Sequence, residues 1–119
     1  MIGLGAVDEA SGTIYYAASP DNATQRYLYR ATLDGEKGER VTPDNLPGWN
    51  TYNISPDGKF AVHTYSAFSR RPTVQLISLP EPTQVRNLVT NSKLCVALAA
   101  LKRPTAEFLR LDIGNDIQL

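Results

Sequence analysis

The sequence predicts an all-β chain, a fragment of a β-propeller with two four-stranded antiparallel blades, followed by a short helix and a terminal strand segment. Three observations carry that prediction. First, Ile54-Ser55-Pro56-Asp57-Gly58-Lys59-Phe60-Ala61-Val62-His63 reads as a strand end, a tight turn and a second, alternating strand. Second, the pattern occurs twice. At an offset of 46 residues Gly12 falls under Gly58, Ile14 under Phe60, Tyr16 under Val62, Leu28 under Val74, Thr32 under Ser78 and Leu33 under Leu79. Third, each copy holds four strand-like runs, and a four-stranded repeat of roughly 40 to 50 residues is the mark of a propeller blade.

The elements follow in order. Ile2 to Val7 is a strand that arrives at the turn Asp8-Glu9-Ala10-Ser11-Gly12, and Thr13 to Ser19 leaves it with Ile14, Tyr16 and Ala18 on one face. Pro20 to Thr24 is a loop by its proline and Asx content. Gln25 to Leu33 is an aromatic-rich third strand, Asp34-Gly35-Glu36-Lys37-Gly38 turns the chain, and Glu39 to Thr42 is a short, charged edge strand. Pro43 to Gly48 crosses to the second unit. There Trp49 to Ser55, Lys59 to Ser66, Thr73 to Leu79 and about Gln84 to Leu88 repeat the order, with Arg70, Arg71, Pro72, Pro80 and Pro82 expected in loops. Beyond Val89 the pattern changes. Asn91-Ser92-Lys93-Leu94 looks like a helix cap, and a helix of about ten residues is expected to end before Pro104. Thr105 to Ile113 alternates again, Gly114-Asn115 turns, and Asp116 to Leu119 begins another strand. The expected division is residues 1–46 as one blade, 47–90 as a second, and 91–119 as a helix and connection into a further domain. The chain reads as a piece of a larger protein. Two blades leave two outer faces uncovered, so self-association of the isolated chain, or packing of its helix and tail across one face, is expected.

Composition narrows the function classes. Twelve Lys and Arg balance twelve Asp and Glu, so no net field draws the chain to nucleic acid or to an anionic membrane. The longest apolar run, Leu94 to Leu101, is far short of the roughly 20 residues a spanning helix needs. The single cysteine, Cys95, has no partner for a disulfide or a metal site and is expected to be a buried packing thiol. No cofactor is implied.

Gly12-Thr13-Ile14-Tyr15-Tyr16-Ala17-Ala18-Ser19-Pro20, Gln25-Arg26-Tyr27-Leu28-Tyr29-Arg30 and Ile54-Ser55-Pro56-Asp57-Gly58-Lys59 resemble the last blades of the amino-terminal propeller of the dipeptidyl peptidase IV family, bacterial members especially. Asn91 to Leu94 and the helix after it resemble that family's passage out of the propeller, and Glu107 to Leu119 the first strands of its α/β-hydrolase domain. The resemblance implies a parent serine exopeptidase that removes dipeptides with proline or alanine second, in the periplasm or cell envelope. Its partners here would be the remaining blades, the hydrolase domain and the peptide substrate. The family's Ser, Asp and His act from the hydrolase domain, and its ammonium-binding glutamate pair comes from an earlier propeller segment. None can be carried over, and Glu36, Glu39, Glu81 and Glu107 stand singly in the sequence.

No catalytic, substrate-binding, cofactor or metal residue is therefore assigned. His63, Ser66 and Asp57 suggest a triad only superficially, since the chain lacks the Gly-x-Ser-x-Gly elbow a nucleophilic serine needs. Asp8, Glu9, Asp21, Asp34 and Asp57 sit in turns, where Asx side chains bond nearby backbone. Arg70-Arg71 reads as a solvated pair, and Tyr15, Tyr16, Tyr27, Tyr29, Trp49 and Tyr52 as packing residues. The sequons at Asn22 and Asn53 are taken as chance, the second being strand-bound and followed by proline. The function expected is a non-catalytic scaffold within a dipeptidyl peptidase. The alternative is a protein-binding scaffold from an unrelated propeller, without enzymatic activity.

Overall fold

The computed structural model describes residues 3–35, 38–68, 70–101, 109 and 111–114. Two four-stranded antiparallel sheets stack face to face. The first contains β1 (Gly3–Asp8), β2 (Thr13–Ala18), β3 (Tyr27–Thr32) and β4 (Glu39–Arg40), and the second β5 (Trp49–Ile54), β6 (Phe60–Ala67), β7 (Arg70–Ser78) and β8 (Thr83–Val89). Each sheet runs in chain order. One helix, α1 (Ser92–Ala99), follows. Of the expected strand at 105–113, residues 109 and 111–113 are described and belong to none of the eight strands, while its other residues and the expected strand start at 116–119 lie outside the described residues.

Apolar alternation places the core between the sheets. Ala6, Tyr15, Leu28 and Val41 of the first unit meet Tyr52, Ile54, Ala61, Ile77 and Leu79 of the second. Residues of opposite phase lie on the outer faces. Tyr16 and Tyr29 pair across β2 and β3 and stack with ring centroids 5.6 Å apart, while Val62 and Leu76 pair on the far side of the second sheet.

The glycine-matched repeat is one residue out over half of each unit. Asp8 pairs with Thr13, and the Ser55 amide donates to the Phe60 carbonyl, so the second-strand partner of Thr13 is Phe60 rather than Lys59. The glycines cause this, because Gly12 is the fourth residue of its loop and Gly58 the third, although both take positive φ, 64° and 66°. A slip of one residue exchanges the faces of a strand. Tyr16 consequently corresponds to His63, not to Val62. The third strands keep the 46-residue match, since Thr13 pairs with Thr32 where Phe60 pairs with Ser78.

Three expectations need correction. Arg70, Arg71 and Pro72 lie in strand β7, not in a loop. A bulge between Tyr65 and Ala67 lets β6 continue to pair with Arg70, and the proline falls where that ladder is interrupted, so its missing N–H costs nothing there. The helix has eight residues, and Asn91 does not cap it with its side chain: at φ 53° its amide instead donates to the Pro72 carbonyl at 2.6 Å. Cys95 is exposed, not buried. No residue of α1 is buried, so its apolar positions have no core beneath them.

Candidate functional site

The seam between the sheets holds Thr42, Asn50 and His63, the buried polar residues among those described, and they form one connected group. Asn50 is fully buried at the start of β5. Its amide nitrogen donates to the carbonyls of Arg26 (3.0 Å), Leu46 (3.1 Å) and Gly48 (3.3 Å). With both amide hydrogens so engaged, its Oδ1 accepts from His63 Nε2 at 2.9 Å. That contact fixes the imidazole tautomer: Nε2 carries the proton and Nδ1 is the acceptor, which the Gln75 side-chain amide satisfies at 2.9 Å. Tyr52 stacks flat on the His63 ring at 4.3 Å between centroids. Burial pushes the His63 pKa down to about 4, so the ring is neutral. Tyr52 itself donates to or accepts from Thr42 at 2.9 Å, and burial raises its phenol to about 12. The Thr42 hydroxyl in turn accepts the Leu28 amide at 2.8 Å, which ties the group back to the first sheet.

Main-chain bonds run beside this group. The Arg26 amide donates to the Gly48 carbonyl (2.9 Å) and the Asn50 amide to the Arg26 carbonyl (3.1 Å), a short parallel bridge between the two sheets. Gly48 is required there, since at φ 135° a Cβ would stand 2.6 Å from the Ser66 carbonyl oxygen.

At the other end of the seam, the Arg30 guanidinium meets Glu39 of its own sheet at 3.0 Å and Glu81 of the turn between β7 and β8 at 3.3 Å. The two glutamates, single in sequence, converge on one cation. Both are largely exposed, which limits the strength of the pairs.

The remaining candidates are dispersed. Ser66 lies three residues beyond His63 on β6, on the opposite face, and Asp57 sits in the hairpin turn, where its Oδ1 accepts from the Ser55 hydroxyl (2.6 Å) and the Lys59 amide (3.2 Å). No triad assembles, and both nitrogens of His63 are occupied. Asp8 plays the same part in the first turn, accepting from the Ala10 amide and the Ser11 hydroxyl. Hydrogen bonds from Ser11 and from Ser55 hold these two carboxyls below the usual range. Asp34 bonds the Thr32 hydroxyl. Glu9 and Asp21 are exposed, and among the described residues no group of three or more His, Cys, Asp or Glu could hold a metal ion. Arg70 lies 5.0 Å over the Tyr65 ring, and Arg40 stacks 3.7 Å over Tyr27. Trp49 remains 44% exposed at the end of β5, with Arg26 5.6 Å from its ring. Asn22 is in an exposed turn that accepts from the Thr24 amide and hydroxyl, and Asn53 is within β5.

The polar group that organises the seam was only partly visible in the sequence. Asn50 and Gln75 were not singled out, because polar residues that alternate along a strand ordinarily face water. The available signal was phase: Gln75 shares its side of β7 with Ile77 and Leu79, and His63 its side of β6 with Ala61 and Tyr65.

A family model described as the dipeptidyl peptidase IV (DPP IV) N-terminal region matches residues 1–72. A probable dipeptidyl-aminopeptidase B from Emericella nidulans is 29% identical over 112 residues, 92% of this chain and 12% of that protein. Its counterpart from Aspergillus oryzae is 33% identical over 117 residues, 96% of this chain and 13% of that protein. The chain thus spans 12–13% of the length of these curated relatives. The crystal structure of Porphyromonas gingivalis dipeptidyl peptidase 4 is similar in fold, with a TM-score of 0.84 at 23% identity, over 97% of this chain and 16% of that one. The paired four-stranded sheets are a β-propeller portion, and with its first 72 residues matched by the family model the chain belongs to the dipeptidyl peptidase IV N-terminal region family.

Proposed function

We propose that the chain is a non-catalytic propeller part of a serine exopeptidase that removes X-Pro or X-Ala dipeptides from peptide amino termini. The family match over residues 1–72 carries this reading. Residues 1–46 and 47–90 are two consecutive blades, and 91–119 lead into an α/β-hydrolase domain. The part they play is to complete the ring and join it to that domain, with no group of their own touching the scissile bond. The buried seam supports this role, because the one His63 nitrogen that could take a proton is already occupied by the Gln75 amide within the core and is not offered to a substrate.

The test compares the 119-residue chain with the product of the whole coding sequence that contains it, using glycyl-prolyl p-nitroanilide. The longer protein is expected to release p-nitroaniline and to lose that activity to a serine-directed phosphonylating reagent, while the chain alone releases none. A longer protein inactive on this substrate, or hydrolysis by the chain alone, would overturn the reading. The two outer faces, which carry Tyr16 and Tyr29 on one side and Val62 and Leu76 on the other, favour self-association of the isolated chain. Sedimentation that returned only monomer, with no binding of a hydrophobic dye, would remove that part.

A further inference from the structure

At the end of the sheets opposite α1, the hairpin tips of the two units part to leave a cleft of about 590 Å³. Strand direction sets its place: β8 runs away from it, and α1 is tied back to Pro72 at the far end. The volume suits a small organic group rather than a bare ion.

Charge and the hydrogen-bonding atoms open to the cleft describe what fits. Asp8, Asp57 and Glu39 line the cleft with Arg30 and Lys59, and Glu81 pairs with that arginine from the turn between β7 and β8. Four carboxylates against two cations leave two negative charges. Asp57 Oδ2 accepts no hydrogen bond from the described residues, since its turn uses only Oδ1. Tyr15, only 3% exposed, also lines the cleft, and its hydroxyl has no hydrogen-bond partner among the described residues. Burial raises its pKa, so the phenol stays protonated, and Arg30, Asp8 and Glu81 are the charges that act on it. The sealed polar atoms without a partner among the described residues are Arg40 Nε and Arg71 Nε, so the Tyr15 hydroxyl opens to the cleft and is available to whatever enters it. Ala31, Leu79 and Pro80 supply an apolar wall.

We propose that this cleft binds an alkylammonium group, with the ammonium facing Asp57, Asp8 and the Tyr15 hydroxyl and the alkyl stem against the apolar wall. Divalent calcium fits less well, because it takes six to eight oxygens and the two hairpin tips offer two carboxylates. The same chemistry is presented by a free polyamine and by a lysine side chain of another protein.

Calorimetry on the 119-residue chain at neutral pH and low salt separates these sources, with cadaverine and Nα-acetyl-lysine methylamide as probes and hexanoate as the anionic control. Saturable millimolar binding of cadaverine is expected. It should weaken about tenfold in Asp57→Asn, which removes a charged hydrogen-bond acceptor, and should also weaken in Tyr15→Phe. Binding of cadaverine alone would assign the cleft to free diamines, and binding of both amines would admit a protein lysine as well. Absence of binding by either amine, equal binding of hexanoate, or unchanged affinity in both variants would overturn the proposal. Asp57 lies in an exposed turn, so its variant still reports if the buried Tyr15→Phe unfolds the chain.

Discussion

Lowering the pH from 7 to 4 should destabilise this chain chiefly through one side chain. An imidazole in the unfolded chain titrates near 6.5, whereas burial pushes folded His63 down to about 4. The unfolded state therefore takes up the proton first as pH falls. His63's contribution is whole above 6.5 and is lost progressively down to 4. That displacement, at about 1.4 kcal/mol per pH unit, amounts to about 3 kcal/mol, a large share of the 5 to 15 kcal/mol typical of whole domains. The geometry explains why the loss is hard to avoid: protonated Nδ1 would direct a second donor at the Gln75 amide, which already donates to it. His63 is the only histidine, and the hydrogen-bonded Asp8 and Asp57 titrate below the window, so the assignment is clean. Urea unfolding followed by Trp49 fluorescence at several pH values would measure it. With a slope of about 1 to 3 kcal/mol per molar urea, the midpoint should fall by about 1 to 3 M between pH 7 and 4. His63→Gln should be nearly flat between pH 7 and 5. A wild-type midpoint that stays constant over that interval would refute the idea that the ring is held neutral.

Asn50→Ala should cost about 3 kcal/mol, because it orphans the His63 N–H and strips side-chain donors from the Leu46 and Gly48 carbonyls. Asn53→Ala, exposed on the same strand, should stay within about 0.5 kcal/mol, and equal costs at the two positions would contradict the buried network. Cys95 should react with a disulfide reagent in the folded chain as fast as in urea, since it is exposed. A thiol unmasked only by denaturant would return it to a core.

The parts of this fold legible in sequence are those fixed by near neighbours. Pro56-Asp57-Gly58 announces its turn through proline and a glycine at positive φ, and Asp8 to Gly12 through an aspartate that bonds nearby backbone and a glycine at positive φ. Alternation located the strands for a similar reason. Longer-range facts were harder. The one-residue offset between Gly12 and Gly58 depends on loop registry, which glycine matching cannot see. Arg70 to Pro72 looked like a loop because their composition discourages strands, and the bulge opposite them is a tertiary event. Cys95 was misplaced because a free cysteine inside an apolar run, Leu94 to Leu101, implies a core without saying where it is. The convergence of Glu39 and Glu81 on Arg30 joins residues from different units, and nothing in their local sequence announces it.

The main-chain bridge at Arg26, Gly48 and Asn50 gives the seam a mechanical polarity. At that end the sheets are fastened by peptide groups, and at the other by exposed side-chain charges around an open cleft. The assembly is accordingly a book bound along one short edge, whose free margins part before its spine does. Replacing the side chains of Arg26 or Trp49 leaves the binding stitches intact, because backbone supplies them. A proline at 26 or 50 would cut them by removing a donor.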